Sequence, residues 1–147
     1  MLIKKLFIKI SHLKILMEIK CNYIEIILIM LYGICFWLLN KDKKNILIDE
    51  NRIEEFEKLN PQGKIFTIIE DLNTHYKVLY GKKEFAILKE AIKIIDCNFL
   101  LEVETEVEII KTKRKAIIKD RYWHFKDNKP FYILSNTSKR FFEQDLR

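Results

Sequence analysis

Between residues 22 and 44 the chain reads NYIEIILIMLYGICFWLLNKDKK, and from Ile26 to Leu39 no position is charged. A surface helix of a soluble domain carries a polar stripe, which this stretch lacks, so the pattern predicts a transmembrane helix over 23–39. As a helix those residues would extend about 26 Å, slightly less than a hydrocarbon core of about 30 Å. Glu25 near the start suits the positive end of a helix dipole, and Tyr23, Tyr32 and Trp37 lie toward the two ends, where amphipathic rings prefer to sit. The competing reading is a helix buried in the core of a soluble fold.

Residues 1–22 form a basic leader. Ile3, Leu6, Phe7, Ile10, Leu13 and Met17 recur at helical spacing, with Lys4, Lys5, Lys9, His12 and Lys20 mostly off that face. This predicts an amphipathic helix lying at a membrane surface, or one packed on the rest of the protein. More lysines precede the apolar run than closely follow it, which places the N-terminus in the cytoplasm.

After a linker at 40–48, residues 49–147 read as a small α+β domain. Asn51 and Glu54 resemble a capping box ahead of Ile53, Phe56 and Leu59. Ile65, Ile69, Leu72, Tyr76 and Leu79 keep helical spacing, although the β-branched content also allows a hairpin. A further helix is expected over Glu84–Asp96. From Leu101 to Ile109 the period becomes two, with Glu102, Glu104, Glu106 and Glu108 on one face. Lys115, Lys119 and Arg121 on the next strand would answer those glutamates, so a solvated ion-pair face is expected rather than a cation site. Tyr122–Lys126 and Phe131–Leu134 flank Asp-Asn-Lys-Pro and predict a hairpin with apolar side chains on both faces.

The fold class expected is therefore α+β: N-terminal helices including the transmembrane helix, then two or three helices packed on a four-stranded antiparallel sheet. This element order resembles cystatin-like and nuclear-transport-factor-like sheets. The resemblance covers element order alone and implies no site residue.

Composition narrows the functions. The 147 residues are 49% apolar and 33% charged, enough to build a core. Gly 3 and Pro 2 argue against dinucleotide-binding and P-loop folds, which need glycines where backbone meets phosphate. The net charge of +6 is spread along the chain with interleaved signs, unlike a dense nucleic-acid-binding face. Cys21, Cys35 and Cys97 show no metal-ligand spacing, and Cys97 falls at the end of an expected helix, a poor place for a nucleophile. His12, His75 and His124 have no triad partners, and no serine lies in a Gly-rich elbow. No catalytic residue, cofactor or metal is assigned.

The residues singled out as an interaction surface are Tyr122, Trp123, His124, Phe131, Phe141 and Phe142. The leading expectation is a single-pass membrane protein whose C-terminal domain works by protein–protein contact, as a subunit, assembly factor or immunity-type protein. Its partners would be the membrane and other protein subunits. A soluble nucleic-acid-associated module is the second reading, from KTKRK at 111–115 beside Tyr122 and Trp123. A small-ligand pocket or weak hydrolase around His124 and Trp123 is the third.

Overall fold

The computed structural model describes residues 14–20, 23–42, 46–97 and 100–147, and for 14–29 the backbone alone. Strands dominate it. β1 (Lys14–Lys20) and β2 (Tyr23–Ile29) form an antiparallel ribbon. β3 (Leu31–Cys35) follows, then a single helical turn at Trp37–Asn40 and a short helix at Ile53–Lys58. β4 (Ile65–Leu72), β5 (His75–Tyr80), β6 (Lys83–Leu88) and β7 (Ile92–Ile95) complete a five-stranded sheet of order β6-β5-β4-β3-β7. β8 (Glu106–Ile109), β9 (Arg114–His124), β10 (Lys129–Leu134) and β11 (Arg140–Phe141) make a four-stranded antiparallel sheet of order β11-β10-β9-β8.

This corrects the expected α+β class. The second sheet has four antiparallel strands, but its inner face packs on another sheet rather than on helices. The likeness to cystatin-like and nuclear-transport-factor-like folds falls with the helices. The transmembrane helix over 23–39 is replaced by β2, β3 and one helical turn, and among the described residues no helix is long and apolar enough to cross a membrane. The leader's expected helix is strand from Lys14 to Lys20, and residues 1–13 and 21–22 lie outside the described residues.

β3 explains the misreading. It lies between β4 and β7 and is buried on both faces. On one side Tyr32 and Ile34 join Ile65, Ile95 and Leu100 in a small core. On the other, Cys35 enters the main core between the sheets, with Phe66, Val78, Ile87, Ile118, Tyr132 and Leu134. A strand covered on both faces reads as an unbroken apolar run, because neither alternate set of positions meets water. Gly33 fits this crowding: a Cβ there would run into the γ-methyl of Ile92 and lie 3.3 Å from Ile68 Cδ1.

The other expected helices fail for related reasons. Residues 65–80 form the β4–β5 hairpin, the alternative that the β-branched content had allowed. At its turn Asn73 takes a left-handed φ of 69° while its N–H donates to Asp71 Oδ1 at 3.0 Å. Glu84–Asp96 divides into β6, a 3-10 turn at Lys89–Ala91 and β7; in β6 Phe85 and Ile87 point inward at strand spacing. The helix at Ile53–Lys58 does form, but Asp49 rather than Asn51 caps the turn leading into it, its carboxylate accepting from Asn51 N–H at 3.2 Å. The alternating run 101–109 is strand only from Glu106, since Glu104 turns the chain with a φ of 69°.

Candidate interaction surface

β9 contributes to both cores: Ala116 and Ile118 lie in the main one, and Trp123 packs against the small one. The chain crosses from one to the other at Asp120–Arg121, beside a register irregularity at Ile133/Leu134 of β10. Two charged residues are buried at this crossing. Arg121 is 0% exposed and every arm of its guanidinium is engaged. Nε donates to Ile65 O at 2.9 Å, Nη2 to Thr67 Oγ1 at 2.7 Å, and Nη1 to Glu102 Oε1 at 3.2 Å, with Tyr32 beneath the plane. Lys64 pairs with Asp120, its ammonium held between the rings of Tyr80 and Tyr122. Tyr80 ties the two ion pairs together, donating to Asp120 Oδ1 at 3.0 Å and accepting from Arg121 N–H at 3.0 Å.

Burial perturbs these groups. Desolvation lowers the Lys64 pKa despite the opposing pull of Asp120, because the low-polarity interior disfavours its charged form. Desolvation raises Tyr80, and the Asp120 charge raises it further. The same causes push Tyr122 up to about 12. Two cations against two carboxylates, with their hydrogen bonds satisfied inside the protein, make a structural joint between the sheets. Replacing one member of such a set by a neutral side chain leaves a buried charge uncompensated.

Asp120 and Tyr122 share a face of the β9–β10 hairpin, and toward the turn that face becomes aromatic. The register pairs Tyr122 with Phe131 and His124 with Lys129, so these four side chains share one face. Tyr122 and Phe131 are stacked with centroids 5.5 Å apart and 17° between planes. His124 meets Phe131 edge-on at 5.9 Å and Phe142 at 6.0 Å. Two cations lie over this cluster: Arg140 is 5.0 Å from the Phe131 centroid, and Lys129 is 3.9 Å from that of Phe142. Among the described residues neither is matched by a carboxylate. Phe125, just past β9, is 56% exposed and touches Phe36 at 5.9 Å.

Of the six residues read from the sequence as an interaction surface, the structure gathers Tyr122, His124, Phe131 and Phe142. Trp123 is turned to the other side, against the small core, and Phe141 pairs with Tyr132 and packs on the main core. The sequence reading missed Arg140 and Lys129 over the aromatic rings, and Lys64, Tyr80 and Asp120 in the joint beside Tyr122. One signal for the joint was present: the adjacent Asp120 and Arg121 interrupt the inward–outward alternation of β9.

The other chemistry-bearing groups are accounted for structurally. Cys35 is buried and its thiol is pushed up to about 12 by desolvation, far from the range of a reactive thiolate. Cys97 follows a strand rather than ending a helix. One of the ion pairs expected across the glutamate row forms, Glu102 with Arg121, and there the arginine is buried rather than solvated; Lys115 meets Glu106 at 2.8 Å instead of Glu108, and Glu108 takes Arg147 at 2.7 Å. Among the described residues no group of His, Cys, Asp and Glu could hold a metal ion.

Comparison with known proteins finds no match among curated proteins and none among solved structures. Residues 29–147, which take in β3, both cores, the buried joint and the aromatic face, match one family, and the chain belongs to it: a family of unknown function, DUF6960.

Proposed function

We propose that this domain works by protein–protein contact through the outer face of the β9–β10 hairpin. The observation that carries the reading is the cluster of Tyr122, His124, Phe131 and Phe142 on one face, with Arg140 and Lys129 over its rings. Aromatic and arginine side chains are the groups that dominate interface energetics, and here the hairpin sets half-buried Tyr122, His124 and Phe142 and exposed Arg140 around a buried Phe131. The buried joint next to it, with Lys64 and Asp120 beside Tyr122 and Arg121 turned into the core, fixes that hairpin to the five-stranded sheet, so the surface is held ready rather than assembled on binding. This reading keeps the interaction role expected of a subunit or assembly factor and requires no membrane-spanning helix.

Nucleic-acid binding is less well supported. Base stacking needs a free ring face, and both faces of Phe131 are occupied, by Tyr122 and Arg140. The KTKRK run at 111–115 lies at the turn between β8 and β9, where Lys115 and Lys113 face Glu106 and Glu108.

The test is co-purification of the full chain from its native cells, comparing wild type with H124A/F142A. Both variants should keep the melting behaviour of a folded protein, and wild type should retain a near-stoichiometric partner that the double variant loses. An unchanged set of partners in a folded H124A/F142A protein would overturn the reading.

A further inference from the structure

We infer that the partner presents an acidic segment to this face, and that Arg140 and Lys129 are the two groups that take its carboxylates. The inference rests on the hairpin face being an interface, and it adds the chemistry of what docks there. Among the described residues the other cations that rest on a ring also meet a carboxylate: Arg52 meets Glu55, Lys64 Asp120, Lys89 Asp71 and Arg121 Glu102. Arg140 and Lys129 instead rest on Phe131 and Phe142, with no carboxylate partner among the described residues.

A cation over a ring is held in place while the N–H groups directed away from the ring stay open to an acceptor. Pre-positioning removes part of the side-chain ordering cost of forming a charge-assisted hydrogen bond. His124 stands between the two rings, in edge contact with each, so both cations border one continuous aromatic floor. A segment carrying carboxylates satisfies both cations at once. A nucleic acid would supply the anions, but the covered faces of Phe131 leave its bases without a stacking platform.

The experiment uses the full chain and a fluorescent random copolymer of glutamate and tyrosine, followed by anisotropy at low ionic strength. A labelled oligothymidine of similar charge serves as the second probe. Two variants remove equal charge, K129Q/R140Q on the face and K82Q/K111Q elsewhere on the exposed surface. The inference predicts that the copolymer binds more tightly than oligothymidine. It also predicts that K129Q/R140Q weakens binding by about tenfold or more while K82Q/K111Q changes it by less than about threefold. Absence of copolymer binding, equal losses in the two variants, or tighter binding of oligothymidine would each overturn it. If the copolymer fails while co-purification still depends on His124 and Phe142, the face remains an interface and only its acidic partner is refuted.

Discussion

Arg121 and Arg140 make the instructive contrast. Both place a guanidinium over an aromatic ring, Tyr32 for one and Phe131 for the other. Arg121 is fully buried, and its donors end on Ile65 O, Thr67 and Glu102. Arg140 is exposed and its charge meets no carboxylate among the described residues. The same residue type in similar company therefore has opposite meanings. A cation whose donors are used up inside the protein is a fastening, and one left open at the surface is available to something else. Along β9 the Arg121 side chain turns inward, while Tyr122 links the two regions, with buried Lys64 and Phe131 both against its ring.

The largest effect should come from the interior side. Arg121→Ala should lower the unfolding free energy by about 3–5 kcal/mol, since it strands Glu102 and Thr67 and opens a void beside Tyr32. Urea unfolding followed by tryptophan fluorescence measures it. A loss below about 1 kcal/mol would mean that the joint is not what fastens the two sheets.

Gly33→Ala should cost roughly 1–3 kcal/mol, because the added methyl meets the Ile92 side chain in a strand packed on both faces. In a double-mutant cycle with Ile92→Ala, the combined cost should fall short of the sum of the single costs. Strict additivity would show that the contact is not the cause.

The β3 stretch also shows how much of the fold could be read from the sequence. The hairpin at Tyr122–Leu134 was legible, because Asp127–Pro130 carry turn chemistry between two runs rich in aromatic and β-branched residues. The short helix at Ile53–Lys58 was legible for similar local reasons. β3 was not, since Tyr32, Ile34 and Cys35 are apolar on both faces and their strand period is erased by double burial. For β4 and β5, the spacing of Ile65, Ile69, Leu72, Tyr76 and Leu79 imitated a helix, and only long-range pairing decided against it. At the candidate surface the aromatic residues could be read, but their partners could not. Lys129 and Arg140 reach Phe142 and Phe131 through tertiary placement that no local pattern encodes.

Alkaline pH acts on both sides of the hairpin, and more gently. Tyr132, raised to about 12 chiefly by burial, and Tyr122, raised to about 12 by burial and Asp120, both have folded pKa values above the unfolded value near 10. Their contribution to stability is complete below pH 10 and is lost as pH rises through about 12. Lys64 acts oppositely: its lowered folded pKa means that stability recovers between that pKa and 10.5. With several raised tyrosines against one lysine, the urea midpoint should fall above pH 10, and tyrosinate absorbance from these residues should appear together with unfolding. Tyr132→Phe should flatten the fall, and an unchanged fall would place the sensitivity elsewhere.

The smallest effect belongs to the outer face. K129Q/R140Q should change stability by no more than about 1 kcal/mol, as expected for cation–ring contacts at exposed sites. A loss comparable to that of Arg121→Ala would erase the contrast and make these cations structural.

The most direct measurement is photo-crosslinking in living cells with a benzophenone amino acid placed at Lys139 or at Ile94. Both positions are exposed, Lys139 beside Arg140 at the hairpin face and Ile94 on the edge strand β7 of the other sheet. The account predicts a discrete protein adduct from position 139 and none from position 94. Adducts from 94 alone, or equal adducts from both, would contradict the assignment of the hairpin face as the working surface.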